Sequence, residues 1–303
     1  MMNRTDLQRK ISEILPEIEL RFDEPMAKHT SFRIGGPAEV MAFPKNKEEL
    51  AALLKTSTIL DCIPAILGAG TNILAPDRGV EGLVICLKDC MGGMEQLDEV
   101  HIRVAAGVTM TRAAVFAAGL GLSGLEFAHG IPGTVGGGVY MNAGAYGGEI
   151  CQVCQSVEVL CADGNVRNYT NQEMGFSYRH SVLEEQKDIV LSAVFTLEKK
   201  PVEEIRGRMR ELMEKRSASQ PLDLPSAGSA FKRPVGGYAA ALIDQAGLKG
   251  FRIGDAAISE KHAGFAVNLG NATAEDMQAL LRQVSEIVYK NSGIRLEPEV
   301  RIW

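Results

Sequence analysis

Two glycine-rich segments are the parts of this sequence whose residue types and spacing suggest cofactor chemistry. The first, Gly68-Ala-Gly70-Thr71-Asn72, follows an apolar strand-like run and continues into Ile73 and Leu74. The second contains the candidates Gly130, Ile131, Pro132, Gly133, Thr134, Gly136, Gly137, Asn142, Ala143 and Gly144. Glycine backbone approaches a pyrophosphate closely and presents successive N–H donors to its oxygens. Tight structural turns use the same residues, so composition alone leaves both interpretations open.

Neither segment is a complete dinucleotide or nucleotide fingerprint. In the first, Ile73 occupies the third glycine position of G-x-G-x-x-G, and Leu74-Ala-Pro76 follows where a helix should begin. No P-loop sequence occurs in the chain. The glycines therefore indicate a cofactor site without specifying a Rossmann fold.

The six cysteines offer a second possible chemistry. Cys151 and Cys154 have C-x-x-C spacing, and Cys86 with Cys90 could complete four zinc ligands. The second pair has C-x₃-C spacing inside an apolar run, and no histidine lies near it. We therefore predict reduced thiols packed as small core residues and no metal site.

Charge and hydropathy exclude several classes of protein. The 32 basic and 38 acidic residues give a net charge of −6, which disfavours a polyanionic partner such as nucleic acid. The longest uncharged stretch, 127–148, contains eight glycines and therefore disfavours a membrane helix. No apolar signal-peptide core occurs at the N-terminus. These features predict a cytoplasmic protein that is not bound to a membrane.

Local patterns predict the elements that must position these residues. Asn46 and Thr273 are typical helix N-caps, and Asp163-Gly164 between apolar runs predicts a hairpin. A helix is predicted after Pro201 and a final strand over Glu299–Trp303. Composition changes at Gln220-Pro221, the expected domain boundary. At 303 residues the chain is long enough for roughly two domains, and the mixture predicts an α+β fold.

Seven motifs in order resemble one enzyme family. They are Thr30-Ser-Phe-Arg-Ile-Gly-Gly36, Gly68-Ala-Gly-Thr-Asn72, Gly130-Ile-Pro-Gly-Thr-Val-Gly-Gly137, Tyr140-Met-Asn-Ala-Gly144, Phe176-Ser-Tyr-Arg179, Ala227-Gly-Ser-Ala-Phe231 and Glu299-Val-Arg301. From about residue 27 to 303 the chain resembles the UDP-N-acetylenolpyruvoylglucosamine reductase family, flavoenzymes of bacterial peptidoglycan precursor synthesis. The resemblance implies noncovalent FAD, NADPH as electron donor and a UDP-sugar substrate, with no obligate protein partner.

The resemblance also implies the architecture. An FAD-binding fold of the vanillyl-alcohol-oxidase type, made of two α+β subdomains, is expected to precede a smaller α+β substrate-binding domain. We expect an N-terminal helical segment over residues 1–26 and the FAD-binding domain over 27–200, with subdomains of about 27–80 and 81–200. The substrate-binding domain is expected over 201–303. The final strand is expected to return to the active site.

The family pattern assigns three catalytic roles. The implied reaction reduces an enolpyruvyl ether to a lactyl ether, so negative charge builds on the substrate carboxylate and a proton must reach the neighbouring carbon. Arg179 matches the cation at that carboxylate, Glu299 the second polarising group and Ser229 the proton donor. A guanidinium suits a planar carboxylate because it offers a charged, two-pronged fork. The structural alternatives are a surface ion pair for Arg179, a solvated strand end for Glu299 and an ordinary turn serine for Ser229.

Further candidates rest on the same resemblance. Arg216 is expected to contact FAD or the phosphates, and the candidate substrate contacts are Tyr178, Gln220, Lys232 and Arg301. A solvated or packed side chain is the alternative at these positions. The short spacing from Tyr178 to the strand at Ile189 resembles the shorter form of the family, which lacks a substrate-covering tyrosine insertion. His129 stands where a small residue is expected.

Overall fold

Eight α-helices form in residues 4–303, the part of the chain that the computed structural model describes. They are α1 (Arg4–Ile14), α2 (Lys47–Ile59), α3 (Met110–Gly119), α4 (Val135–Tyr140), α5 (Leu183–Gln186), α6 (Val202–Ser219), α7 (Ala239–Gln245) and α8 (Ala274–Ser292). The predicted caps at two of them are confirmed. Asn46 Oδ1 accepts a hydrogen bond from Glu49 N at 2.8 Å, and Thr273 forms a capping box with Asp276.

The strands are short, and most of them pair antiparallel. They are β1 (Glu19–Pro25), β2 (Pro37–Phe43), β3 (Ala65–Leu67), β4 (Ile73–Leu74), β5 (Val80–Cys86), β6 (Met94–Gln96), β7 (His101–Ala105), β8 (Leu122–Ser123), β9 (Gly144–Ala145), β10 (Gly148–Glu149), β11 (Cys154–Leu160), β12 (Val166–Thr170), β13 (Ile189–Thr196), β14 (Glu198–Lys199), β15 (Ser226–Ser229), β16 (Arg252–Ile253), β17 (Ala256–Ile258), β18 (Phe265–Asn268) and β19 (Arg301–Ile302). The predicted hairpin at Asp163-Gly164 is confirmed, because β11 and β12 pair across it with Leu160 opposite Val166.

Packing divides the described chain into two compact units. The first comprises the described residues up to Phe22 together with Val40–Ala69 and Gly82–Lys215. The second comprises Asp23–Glu39, Gly70–Glu81 and Arg216–Trp303. The second unit thus takes two segments from the N-terminal half of the chain.

The first unit contains two principal sheets and two apolar cores. The antiparallel sheet β12-β11-β13-β7-β6 packs with α3 and α4, whose buried residues include Ala113 and Val139. The sheet β1-β2-β5-β3 contributes to a second core that includes Leu50 and Leu53 of α2. β2 and β13 are buried along most of their length, so these strands are covered on both faces.

The second unit is built on the antiparallel sheet β15-β18-β17-β16, with α7 and α8 contributing to its core. Phe32, Ile34 and Leu74 are buried in the same core. Asn268 Nδ2 also donates to the Phe32 carbonyl at 2.9 Å. These contacts explain why segments 23–39 and 70–81 join the C-terminal residues, whereas the sequence assigns most of them to the FAD-binding part. The functional division into 27–200 and 201–303 stays a prediction.

Asp77 caps the longest helix of the second unit from outside that helix. Its two carboxylate oxygens accept from Ala274 N at 2.8 Å and Glu275 N at 3.1 Å. A carboxylate at a helix N-terminus satisfies unpaired amides and interacts favourably with the helix dipole. Asp77→Ala is therefore expected to lower the free energy of unfolding by about 1–2 kcal/mol, measured by urea denaturation.

Asp223→Ala is the matched control for Asp77→Ala, because Asp223 is an exposed carboxylate of the same unit. Its expected effect is below about 0.5 kcal/mol. Equal losses in the two variants would contradict the capping role of Asp77.

Candidate functional site

Gly68 and Thr134, one from each glycine-rich segment, lie together in the first unit. A Cβ atom on Gly68 would stand 2.7 Å from Thr134 Oγ1. That hydroxyl also accepts from Gly137 N at 3.3 Å and so caps α4. Because no side chain fits at position 68, the Gly68 backbone packs directly against the Thr134 side chain and joins the two segments.

The middle of the second segment forms a helix that its sequence does not predict. Glycine is a poor helix former, yet α4 contains three glycines in succession. A Cβ on Gly136 would stand 3.0 Å from Ala106 Cβ, and one on Gly138 would stand 2.7 Å from Met110 Sδ. Close packing therefore stabilises the helix where propensity does not. The amides of Val135, Gly136 and Gly138 donate to carbonyls of the same unit, so these three N–H groups are not available to a ligand. The glycines of α4 therefore serve close packing.

Gly68→Ala is expected to destabilise the flavin-free protein by about 1–3 kcal/mol, because the added methyl collides with the Thr134 hydroxyl. Urea denaturation measures this loss. In the double variant Gly68→Ala/Thr134→Ala the hydroxyl is gone, so we expect a smaller loss than the sum of the two single losses. Strictly additive losses would contradict the proposed collision.

His129 introduces a buried polar atom beside the same segment. Its Nδ1 is buried and has no hydrogen-bond partner among the described residues. The next residue, Gly130, turns with φ +90° and donates from its amide to Thr111 Oγ1 at 3.2 Å. An unsatisfied buried nitrogen next to Gly130–Gly133 fits a bound group that supplies its own polar atoms. No sequence signal identified Thr111, which lies far from Gly130 in the chain.

Arg179 occupies the tip of a tight turn in the first unit. Ser177 and His180 exchange two backbone hydrogen bonds of 3.2 Å, which leaves Tyr178 and Arg179 as the two central residues. Arg179 has φ +57°, a left-handed conformation that is costly for a residue other than glycine. Its Nη2 donates to the Gly144 carbonyl at 3.3 Å, and its guanidinium carbon lies 5.1 Å from the centre of the half-exposed Tyr178 ring. Both backbone and head group of Arg179 are thus held.

Asn142 and Gly144 lie against this turn. The Asn142 side chain is buried and bonds to Ser177 and Glu149. Gly144 pairs with Glu149 between β9 and β10, and Ala143 O accepts from Ile150 N. Glu149 has no role in the sequence prediction, because a single glutamate after two glycines is not a signal.

Ser229 and Glu299 lie on two paired segments of the second unit. Phe231 and Pro298 form an antiparallel bridge, and Glu299 N donates to Ala230 O at 3.0 Å. On the same paired segments Lys232 N donates to Glu297 O at 2.9 Å. Ser229 is exposed and Glu299 partly exposed. A hydroxyl group and a carboxyl group therefore stand on neighbouring segments with access to a ligand.

Residues 70–74 support the segment that carries Glu299. Asn72 O accepts from Arg301 N at 3.0 Å, and Asn72 Nδ2 donates to Glu299 O at 3.1 Å. Ile73 and Leu74 of β4 pair in parallel with Arg301 and Ile302 of β19. At the start of the segment Gly70 has φ +62°, and a Cβ there would collide with the His29 carbonyl. Within this unit the Gly70–Leu74 segment is therefore a scaffold for the C-terminal strand.

The remaining polar candidates have partners within the second unit. Arg216 at the end of α6 is buried, and its Nη1 donates to Gln220 Oε1 at 3.2 Å. Lys232 Nζ forms an ion pair with Glu297. Arg216 and Gln220 thus form one partly buried polar pair, whereas the charge of Lys232 is compensated at the surface.

The cysteines are free thiols. Burial raises the pKa of Cys90 to about 11 and that of Cys154 to about 12. These two thiols are protonated at neutral pH and are weak nucleophiles and metal ligands. In residues 4–303 no three His, Cys, Asp or Glu side chains are grouped to hold a metal ion, and no helix combines the length and hydropathy that a membrane span needs.

Comparison with known families gives two matches. The family model described as UDP-N-acetylenolpyruvoylglucosamine reductase, C-terminal domain, matches residues 220–303. The model described as FAD binding domain matches residues 38–170. The first match includes Ser229 and Glu299. The second includes both glycine-rich segments.

Individual relatives match over nearly the full length. The protein named UDP-N-acetylenolpyruvoylglucosamine reductase from Agathobacter rectalis is 47% identical over 99% of this chain and 99% of its own length. The one from Caldanaerobacter subterraneus is 46% identical over 97% of this chain and 96% of its own. The crystal structure of UDP-N-acetylenolpyruvylglucosamine reductase from Thermus caldophilus has a TM-score of 0.79 at 37% identity and covers 95% of this chain and 99% of that chain.

A more distant structure shares the fold alone. Alkyldihydroxyacetonephosphate synthase matches with a TM-score of 0.50 at 17% identity, over 65% of this chain and 41% of that chain. The α+β, FAD-binding fold of the vanillyl-alcohol-oxidase type that the sequence predicts is confirmed.

Proposed function

The chain belongs to the UDP-N-acetylenolpyruvoylglucosamine reductase family, and within its reaction we propose that Arg179, Ser229 and Glu299 carry the chemical step. The protein is an FAD-containing, NADPH-dependent oxidoreductase, a UDP-N-acetylmuramate dehydrogenase. It reduces the enolpyruvyl ether of UDP-N-acetylglucosamine to UDP-N-acetylmuramate in peptidoglycan precursor synthesis.

FAD would be held noncovalently by the two glycine-rich segments and Arg216. The close approach of Gly68 and Thr134 and the unpartnered Nδ1 of His129 support this assignment. When bound, FAD would supply the hydride for the far vinyl carbon of the substrate, with NADPH as the source of the electrons. The protein side chains must then stabilise charge on the substrate and deliver a proton.

Arg179 binds the substrate carboxylate in this proposal. Its guanidinium is a cation that offers parallel N–H donors, and these match two carboxylate oxygens. As the far carbon is reduced, charge moves onto that carboxylate as an enolate. A cation held in place before the reaction stabilises this charge without reorganisation.

Ser229 donates a proton to the enolate carbon, and Glu299 polarises the carboxylate from a neighbouring segment. A serine nucleophile would need an adjacent base, whereas a proton donor to a strongly basic carbon needs only correct position. The hydrogen bond from Glu299 N to Ala230 O supports this part of the proposal, because it joins Glu299 to the residue that follows Ser229.

Tyr178, Gln220, Lys232 and Arg301 are the proposed contacts to the rest of the substrate. Gln220 accepts from the buried Arg216, so it presents its amide in a fixed position. Lys232 would exchange its surface ion pair with Glu297 for a substrate phosphate. An exposed ion pair of this kind contributes little, so the exchange costs little.

We also propose a cytoplasmic location with no obligate protein or nucleic-acid partner. The reactants of the family reaction are small and soluble, and the net charge of −6 disfavours a polyanion. A UDP-sugar binds instead through a few local cations.

The test is anaerobic NADPH oxidation by the purified yellow protein, with and without the enolpyruvyl substrate. We expect oxidation beyond one equivalent of bound FAD only when the enolpyruvyl compound is present. UDP-N-acetylglucosamine, which lacks the double bond, is the control and should support none. Equal oxidation with both sugars would contradict the proposal.

A further inference from the structure

We propose that Asn142 is a positioning residue that fixes Arg179 for the substrate carboxylate. The inference rests on the role proposed above for Arg179. It concerns the first unit alone and is argued from hydrogen bonds around the Arg179 turn.

The Asn142 amide group is fully engaged inside the protein. The side chain is 1% exposed, and its Nδ2 donates to the Ser177 carbonyl at 2.9 Å and to Glu149 Oε2 at 3.0 Å. Its Oδ1 accepts from Cys151 N at 2.9 Å. An amide nitrogen has two protons, and both are used here. The Asn142 nitrogen therefore has no proton left for a ligand.

The first consequence concerns the backbone of the turn. Ser177 begins the turn that places Arg179 at φ +57°, and the Asn142 amide holds Ser177 by its carbonyl. At the other end Ser181 Oγ donates to the Tyr140 carbonyl at 2.8 Å. The turn is thus tied at both ends to residues 140–142, and such ties offset the cost of the left-handed Arg179 backbone.

The second consequence concerns the guanidinium. Arg179 Nη2 donates to the Gly144 carbonyl, and Gly144 pairs with Glu149 in the β9–β10 hairpin. The Glu149 carboxylate is in turn held by the Asn142 amide. One side chain therefore ties both the backbone of Arg179 and the hairpin on which its head group rests.

The residue type suits both tasks. Asn142 has φ +42°, a conformation that asparagine adopts more readily than most residues. Aspartate would keep the shape and the Oδ1 acceptor but would lose both donors and face the Glu149 carboxylate. Glycine would keep the backbone conformation and lose the side chain. The two variants therefore test the same inference in different ways, one by removing the donors and the other by removing the whole side chain.

The experiment compares two ligands by calorimetric titration of the FAD-loaded protein. One is the enolpyruvyl ether of UDP-N-acetylglucosamine, which carries the carboxylate, and the other is UDP-N-acetylglucosamine, which does not. For Asn142→Asp and Asn142→Gly we expect Kd for the carboxylate ligand to rise at least ~10-fold and Kd for the plain sugar to change less than ~2-fold. Both titrations use protein of equal FAD content, because Asn142 lies in a segment proposed to hold FAD.

Asn171→Asp is the matched control. Asn171 is another partly buried amide of the first unit, and its Nδ2 donates to the carbonyls of Cys151 and Cys154 at 2.8 and 2.7 Å. It makes no bond to the Arg179 turn, so this variant should leave the ratio of the two Kd values unchanged. If Asn171→Asp changes the ratio of the two Kd values as much as the Asn142 variants do, the inference is overturned.

Introducing Arg179→Gln separates this inference from the proposed function. In that background Asn142→Gly should add less than ~2-fold to Kd of the carboxylate ligand, because its effect passes through Arg179. The positioning role is overturned if the Asn142 variants weaken binding of both ligands equally. It is also overturned if Asn142→Gly raises Kd of the carboxylate ligand by the same factor with and without Arg179→Gln. If Arg179→Gln itself spares the carboxylate ligand, the role proposed for Arg179 fails instead.

Discussion

Replacing Ser229 with alanine is expected to slow reduction of the enolpyruvyl substrate by at least ~10²-fold, about 2.7 kcal/mol of transition-state free energy. The variant removes only the hydroxyl proton proposed for the enolate carbon. Ser229 is exposed at the end of β15, where Gly228 turns with φ +78°, so loss of one oxygen leaves the packing of the strand unchanged. Rapid-mixing measurement of the two half-reactions tests this expectation.

The two half-reactions must respond differently. Reduction of FAD by NADPH needs no proton from Ser229 and should proceed at the original rate. Ser226→Ala is the control, because Ser226 is a partly exposed serine at the other end of the same strand, opposite Val267. It should leave both half-reactions unchanged. An equal loss of both half-reactions in Ser229→Ala would show that Ser229 is not the specific proton donor.

Arg179→Gln is expected to lower kcat/KM for the enolpyruvyl substrate by about 10²–10³-fold, because a preorganised charge at the developing enolate is lost. Arg179→Lys should recover only part of this loss, since an ammonium is a point charge without the planar fork. Steady-state kinetics at several substrate concentrations measure both variants. Reduction of FAD by NADPH should again remain close to its original rate.

The control for Arg179 is Arg167→Gln. Arg167 is an exposed arginine of the same unit that pairs with Asp163 at 3.5 Å near the β11–β12 turn. Its loss should alter kcat/KM by less than about 2-fold, because exposed ion pairs contribute little. If Arg179→Gln behaves like this control, the carboxylate is bound by another group.

Local sequence signals predicted those parts of the fold that depend on local bonds. The caps at Asn46 and Thr273 and the hairpin at Asp163-Gly164 are formed by residues within a few positions of each other. Their side chains select one backbone conformation wherever they occur. The apolar face of α8, with Met277, Leu280 and Val284, follows from helical periodicity in the same way.

Elements that depend on distant packing were not predicted. The three glycines of α4 have low helix propensity, and only Ala106 and Met110 explain why a helix forms there. Phe32 and Leu74 carry no sign in the sequence that their partners lie beyond residue 226. Hydrophobicity requires burial but does not specify the partner, because apolar contacts are not directional.

The order of the motifs along the chain was enough to identify the family, the flavin chemistry and the proposed catalytic groups, because the motifs contain side chains of the chemical types that the reaction needs. How those groups are held could not be inferred from the motifs and is seen only in the fold. The fold joins Glu299 to Ala230, the residue that follows Ser229, and it engages both amide protons of Asn142, with Ser177 of the Arg179 turn and with Glu149. The physical reason is that hydrogen bonds between distant segments depend on distances of a fraction of an ångström, which residue type and spacing do not encode.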